Sequence, residues 1–225
     1  MANINVTING AQLSVNEGVT ILEAARESGI DIPTLCYIAE LAPTGACRVC
    51  VVEVEGPRTL IAACHMPVTQ GMVIQTHSPR VLEARRAIVE LLLASHCGSC
   101  YMCEKANICE LRQIAADLDV GLPRFPTSRR YYPMEDVSPY IVRDLTKCIL
   151  CRRCVMACNE IAKKHVYGIA YRGFASKIIV NFDEAINTEA CKDCGICIPY
   201  CPTGALRTPE DIHQEKKGTP LVIKG

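Results

Sequence analysis

The sequence predicts a mixed α+β chain assembled from several small units, and three observations carry that reading. Asn9-Gly10 separates two alternating runs, residues 3–8 (NINVTI) and 11–15 (AQLSV), the strongest short-range hairpin signal. From Pro79 to Ala94, the apolar residues Val81, Leu82, Ala84, Ile88, Leu91 and Leu92 recur at helical spacing. Finally, KCILCRRCVMAC (147–158) and ACKDCGICIPYC (190–201) share every cysteine at a constant offset of 43 residues, which is the pattern of a duplicated half-domain.

The elements follow in order. After the hairpin, TILEAARESG offers Thr20 as a helix N-cap and Gly29 as a stop. Strand-like runs come next at Arg48 to Val54, Thr59 to Ala63 and Met72 to Thr76, completing a unit over residues 1–78. Residues 79–118 form a helical segment whose second helix is expected from Glu110 to Leu118. Residues 119–140 hold Gly121, Pro123, Pro126, Pro133 and Pro139 among arginines and tyrosines, a linker composition. The duplicated unit occupies 141–208, and 209–225 is a polar tail with no assignable chemistry.

Sixteen cysteines in 225 residues demand an explanation, either a disulfide framework or soft-metal ligation in a reducing compartment. The N-terminal MANINVTINGAQL lacks the basic start, apolar core and small-residue site of a signal peptide. Apolar stretches such as Ile88 to Ala94 are too short to cross a bilayer. The expectation is therefore a cytoplasmic chain with reduced thiols and no membrane insertion. Lys plus Arg and Asp plus Glu both number 24, so no net field argues for nucleic acid. With no Trp and only 5% aromatics, large core side chains are scarce. Bound clusters would replace part of that core, and the apo-protein should fold poorly.

The cysteines fall into four groups. Cys36, Cys47, Cys50 and Cys64 are spaced C-x10-C-x2-C-x13-C, which alone admits either a [2Fe–2S] cluster or a four-cysteine zinc site. Gly45 and Ala46 keep this loop small where backbone must approach a cluster. His96, Cys100, Cys103 and Cys109 follow the long helix as H-x3-C-x2-C-x5-C. The two repeats each read C-x2-C-x2-C-x3-C, the bacterial two-cluster ferredoxin signature in which the fourth cysteine ligates the other cluster. Accordingly Cys148, Cys151 and Cys154 are expected to pair with Cys201, and Cys191, Cys194 and Cys197 with Cys158. Lys147, Arg152 and Arg153 crowd the first repeat. They could raise its potential or dock a partner, but solvated surface charge is the commoner outcome for such residues.

The segment IPTLCYIAELAPTGACRVCVVEV, with LIAACHMPVTQGM after it, resembles the N-terminal ferredoxin domain of the large iron–sulfur subunit of respiratory complex I. The same domain occurs in the diaphorase small subunit of NAD-reducing hydrogenases and in iron-only hydrogenases. The resemblance implies a β-grasp fold with a [2Fe–2S] cluster on Cys36, Cys47, Cys50 and Cys64, and makes zinc a poor alternative. LLLASH and CEKANICEL resemble the family's [4Fe–4S] site with one histidine and three cysteines, implying His96, Cys100, Cys103 and Cys109. Cys97 stands where the family usually has proline, so Cys97, Cys100, Cys103 and Cys109 remain an alternative all-cysteine set.

The implied whole is one [2Fe–2S] and three [4Fe–4S] clusters on an electron-transfer subunit. No G-x-G-x-x-G stretch, P-loop or Ser/His/Asp constellation stands out, so no catalytic or nucleotide site of its own is expected. His65, His77, His165 and His213 read as scattered surface residues. Among the resembling subunits, the gamma-type diaphorase subunits and those of NAD(P)-linked formate dehydrogenases and flavin-based electron-bifurcating transhydrogenases are most similar in architecture. They imply an FMN- and NAD(P)-binding flavoprotein partner of the complex I type and a further redox subunit. A free ferredoxin-like carrier is the competing reading.

Overall fold

The computed structural model describes residues 3–96, 98, 100–125, 131–132, 140–183 and 188–209. Cys97, parts of the expected linker (126–130 and 133–139) and the expected tail from 210 lie outside these residues. The chain forms two compact units, one of Met1–Arg130 with Ile149–Arg153, the other of Tyr131–Cys148 with Cys154–Gly225.

In the first unit, β1 (Asn3–Ile8) and β2 (Ala11–Asn16) pair antiparallel, with Ile8 opposite Ala11 across the Asn9-Gly10 turn. Both turn residues have positive φ, 52° and 86°, as a two-residue hairpin of matching twist requires. The Asn9 side chain also ties the turn to the end of the strand on β1's other side: its Nδ2 donates to Thr76 Oγ1 at 2.7 Å, and Thr76 N–H donates to its Oδ1 at 2.8 Å. β3 (Val51–Val54), β4 (Ile61–Ala62) and β5 (Val73–Gln75) complete a five-stranded sheet in the order β2-β1-β5-β3-β4. β1 and β5 run parallel and the other pairs antiparallel.

Helix α1 (Ile21–Glu27) begins with a reciprocal capping box between Thr20 and Glu23. Ile21, Leu22, Ala24 and Ala25 are fully buried against Val6, Ile8, Val52 and Ile74. Burial of Ile21 and Leu22 contributes roughly 1.5–3 kcal/mol each, which helps to hold a seven-residue helix that would not persist alone. The sheet, one crossing helix and the strand order give the expected mixed α+β ferredoxin-type unit.

Helix α2 (Pro79–Ser95) starts from Ser78, whose Oγ accepts from Val81 N–H and donates to Glu53 Oε2 at 2.6 Å. Pro at its first turn costs nothing there, because that N–H would have no helical partner. Along its buried stripe, Val81, Arg85 and Val89 recur every fourth residue. Arg85 donates to the Val51 carbonyl at 2.9 Å, clamping the helix to β3. Helix α3 (Glu110–Asp117) packs beside α2, and Arg86 Nε closes its far end on the Leu118 carbonyl at 2.9 Å.

The second unit has little regular structure. β6 (Val142–Arg143) pairs with β9 (Leu206–Arg207), joining the two ends of the duplicated segment, and Asp144 N–H extends the pairing to the Ala205 carbonyl at 2.8 Å. β7 (Tyr167–Ala170) and β8 (Lys177–Val180) form a hairpin between the two cysteine runs. Short helices α4 (Arg153–Met156) and α5 (Thr188–Cys191) complete the elements, and Ala157–Ile161 widens into a π-turn around Cys158.

Candidate metal centres

The first cysteine group sits between two apolar cores of the first unit. Cys50 and Cys64 belong to the sheet core, whereas Cys36 and Cys47 belong to a second core built on α2 and α3. Backbone bonds fix Cys64: Leu22 N–H donates to the Ala63 carbonyl at 3.0 Å and Ile21 N–H to Met66 at 2.9 Å, so the start of α1 grips the turn that carries it. Cys47 and Cys50 bracket Arg48, whose φ of 61° turns the chain back on itself. At Gly45 a Cβ would meet nothing within 4 Å; glycine is required by its φ of +60°, not by crowding from protein atoms.

The ionisation of the four sulfurs is linked pair by pair, although no group of three or more His, Cys, Asp or Glu among the described residues is set to hold a metal ion. Hydrogen bonds from Cys47 and Cys64 hold the Cys36 thiol far below its ordinary value, to about 2. Cys47 and Cys64 are correspondingly pushed up, chiefly by the bond each makes to Cys36. The bond from Cys64 lowers Cys50 to about 7. Sulfurs close enough to share protons titrate as one set, and the same closeness suits four thiolates to one cluster. Arg85 supplies charge beside them: burial lowers its guanidinium to about 10, while the charges of Cys50 and Asp31 oppose that shift. Its Nε has no hydrogen-bond partner among the described residues. A permanent cation buried beside thiols fits an anionic cluster better than neutral cysteines.

Cys109 stands at the N-cap of α3. Burial raises its thiol, the N–H groups of Arg112 and Leu111 oppose that rise, and the charges of Cys103 and Cys100 add to it. The charges of Cys100 and Cys103 reach Cys109 through space, and its sulfur stands at the start of α3 without a capping hydrogen bond. His96 is buried as the C-cap of α2, with extended backbone (φ −86°, ψ 161°). Cys97 is outside the described residues, so the two alternative ligand sets stand as the sequence left them.

The repeat is conformational as well as sequential. Leu150 and Arg152 have φ of 56° and 67°; 43 positions on, Asp193 and Gly195 have 53° and 56°. Left-handed backbone at a leucine costs about 1–2 kcal/mol, a strain that persists where a functional turn demands it. Alternating such residues turns backbone N–H groups inward, the geometry of an anion-binding nest.

In the second unit, Cys158 lies close to Cys191 and Cys197, whose thiols it helps to raise behind the larger effect of burial; Cys197 reaches about 12. Val166 N–H donates to Cys158 Sγ at 3.3 Å, and Tyr167 Oη lies 3.8 Å from Cys197 Sγ. At the other end, Thr203 Oγ1 donates to the Lys147 carbonyl at 2.7 Å and lies 4.0 Å from Cys201 Sγ. That contact ties the residue before Cys148 to the turn after Cys201. Arg143 is fully buried; burial lowers its guanidinium against the opposing charges of Tyr167, Asp183, Cys154 and Cys148.

Two expectations about surface charge need correction. Arg153 is 3% exposed, and Lys147 is largely enclosed, its ammonium 3.1 Å from Asp144. Only Arg152 of the three is solvated. Arg153 makes a bidentate pair with Glu110 at 2.6 and 2.9 Å and donates to the Tyr37 carbonyl at 3.2 Å. Sequence reading also missed Arg85 and Arg143. For Arg85 a signal existed, since it falls on the stripe of Val81 and Val89; for Arg143, inside a two-residue strand, none did. His65, His77 and His165 are exposed, as scattered surface residues should be, and His213 lies outside the described residues.

Residues 1–79 match a 2Fe-2S iron-sulfur cluster binding domain, 85–124 the NADH-ubiquinone oxidoreductase-G iron-sulfur binding region, and 138–207 the ferredoxin-like domain of NADH-quinone oxidoreductase subunit 3. The chain is 42% identical to the HndD subunit of the NADP-reducing hydrogenase of Solidesulfovibrio fructosivorans, over 95% of its own length and 37% of that protein. It is 37% identical to a G-type subunit of the NADH-quinone oxidoreductase of Rhizobium meliloti, over 90% of its length and 24% of that protein. The chain thus spans from about a quarter to somewhat over a third of these relatives' lengths. A chain of the NAD+-reducing [NiFe]-hydrogenase crystal structure superposes with a TM-score of 0.81 at 28% identity, covering 92% of this chain and 88% of that one. No helix among the described residues is long and apolar enough to cross a membrane. Three iron–sulfur domain models thus match consecutive stretches of the chain, and along those stretches it is similar to the G-type subunits of NADH-quinone oxidoreductases and to subunits of NAD(P)-linked hydrogenases.

Proposed function

We propose that this chain is an electron-transfer subunit that relays single electrons through one [2Fe–2S] and three [4Fe–4S] clusters between an FMN- and NAD(P)-binding flavoprotein and a second redox subunit. The ligands are Cys36, Cys47, Cys50 and Cys64 for the two-iron cluster, and His96, Cys100, Cys103 and Cys109 for the first four-iron cluster. Cys148, Cys151, Cys154 and Cys201 hold the second, and Cys191, Cys194, Cys197 and Cys158 the third. When bound, the clusters supply one-electron acceptance at potentials that ligand type, burial and hydrogen bonds to sulfur tune.

The observation that carries the reading is one apolar core containing sulfurs from three groups: Cys36 and Cys47, Cys109, and Cys151. A storage or structural role for metal gains nothing from such convergence, whereas electron hopping depends on it. The remaining residues exclude water, hold loops and place positive charge beside the thiolates. Tyr101, Met102 and Ile108 lie exposed between the cysteines of the second group, an apolar surface that favours a docked partner over a free carrier.

The test is direct. Anaerobically reconstituted chain should hold about fourteen irons with matching acid-labile sulfide, the sum of one two-iron and three four-iron clusters. NADH should reduce it only when a flavoprotein subunit is added. Rapid NADH oxidation by the isolated chain, or zinc in place of iron, would overturn the proposal.

A further inference from the structure

The contacts of Arg153 have a pattern that an ordinary ion pair lacks. Its guanidinium is buried and bonds two groups, the Tyr37 carbonyl and the Glu110 carboxylate. Tyr37 immediately follows Cys36, Glu110 immediately follows Cys109, and Arg153 itself stands between Cys151 and Cys154. One side chain therefore joins three segments, each adjacent to a cysteine of a different group. Cys36, Cys109 and Cys151 are all members of the second core of this unit.

Stability alone does not account for this choice. Burying a guanidinium forfeits hydration, and well-packed apolar residues commonly hold such a junction as well or better. What an apolar residue lacks is a planar fork with fixed donor directions and a permanent charge. The fork dictates how far apart three segments stand. The charge acts on any nearby centre that gains an electron, because a fixed cation stabilises the reduced form, and burial limits its screening by salt. Glu110 offsets that charge in part, from a side chain that is 44% exposed.

Resting on the cluster assignment above, we propose that Arg153 is a positioning residue of the electron path. It locks the segments following Cys36 and Cys109 to its own turn, and its charge, balanced by Glu110, raises the reduction potential of the centres it joins.

The experiment uses the reconstituted full chain with iron and sulfide counted first. Wild-type chain without about fourteen irons would sink the cluster reading, a failure distinct from any concerning Arg153. Potential-poised EPR is then recorded on Arg153→Met, Arg153→Lys and Glu110→Gln. Arg153→Met should lower the midpoint of at least one centre, Glu110→Gln should raise that of the same centre, and Arg153→Lys should lie nearer wild type than Arg153→Met. Loosening of structure would not move two partners of one ion pair in opposite directions. Glu110→Gln keeps shape on a half-exposed side chain, so it decides the matter even if Arg153→Met fails to take up iron. An unchanged or lowered midpoint in Glu110→Gln overturns the proposal, as do shifts of the same sign in both partners.

Discussion

Tyr37 Oη donates to Glu23 Oε1 at 3.1 Å, so the residue after Cys36 is held by the same carboxylate that closes the N-terminus of α1. Arg26 completes the arrangement 5.1 Å above the Tyr37 ring. The loop bearing the first cysteine is thus pinned to a helix cap. The backbone bond from Thr20 is the main cause of the lowered Glu23 carboxyl, against the opposing effect of burial.

Thr20→Ala should therefore cost about 1 kcal/mol, as loss of an N-cap does. A pH effect accompanies it. A carboxyl lowered in the folded state stabilises the protein above its unfolded value and loses that contribution as pH falls through the folded one. Wild-type chain should lose stability on acidification below the ordinary value of 4.5, and Glu23→Gln should flatten that part of the profile. Thermal unfolding of both chains across pH 3 to about 7 checks this; parallel profiles would refute it.

The crossed ligation proposed for the repeat makes a second prediction. The Thr203–Lys147 bond brings the turn after Cys201 to the segment before Cys148, and Cys158 lies with Cys191 and Cys197. Cys201→Ala should thus remove the centre of Cys148, Cys151 and Cys154, while Cys158→Ala should remove that of Cys191, Cys194 and Cys197. Pairing each variant with Cys151→Ala or Cys194→Ala tests the assignment by EPR. Cys201→Ala with Cys151→Ala should lose one centre, not two.

Arg143 gives a third. Its buried charge faces Cys148 and Cys154 from the start of the duplicated segment. On the proposed cluster assignment, Arg143→Met removes a cation beside the Cys148 and Cys154 sulfurs and should lower the midpoint potential of the paired four-iron clusters. A redox titration reads the shift, and an unchanged or raised potential would exclude an electrostatic role for this residue.

What the sequence made legible was local. Asn9-Gly10 announced the hairpin because a type of turn demands those residues, and Thr20 announced α1 because caps are chemically narrow. The cysteine repeat announced its own backbone, and Leu150 and Asp193 indeed share a left-handed conformation. Arg153 was misread because its partners are 43 and 116 residues away, and nothing local distinguishes a buried guanidinium from a solvated one. Short strands such as β6 and β9 were likewise invisible, since two residues carry no period.

Removing iron should act unevenly. The sheet core of the first unit packs Ile8, Ile21, Leu22, Val52 and Ile74 at zero exposure, enough to hold β1, β2 and α1 without a cluster. The second unit has strands of two or four residues, and seven of its buried or half-buried positions are Cys148, Cys154, Cys158, Cys191, Cys194, Cys197 and Cys201. On the cluster assignment proposed above, its folding energy would reside largely in metal binding. After chelation, limited proteolysis should degrade the second unit and leave a resistant fragment containing β1 to α2. Uniform degradation would contradict this.

The second cysteine group allows the sharpest choice between chemistries. His96 ends α2 as a buried cap, and the sulfurs of Cys100 and Cys103 act on that of Cys109. Imidazole in place of thiolate removes one negative charge and raises a cluster's potential. If His96 is the fourth ligand, His96→Cys should keep four irons at this site while lowering its midpoint, and His96→Ala should convert or lose the cluster. Cys97→Ala should change neither. If Cys97 is the ligand, the outcomes exchange: Cys97→Ala disrupts the centre and His96→Ala leaves its spectrum intact. EPR of both alanine variants, each normalised to the signal of the unaffected [2Fe–2S] centre, separates the two without requiring any partner protein.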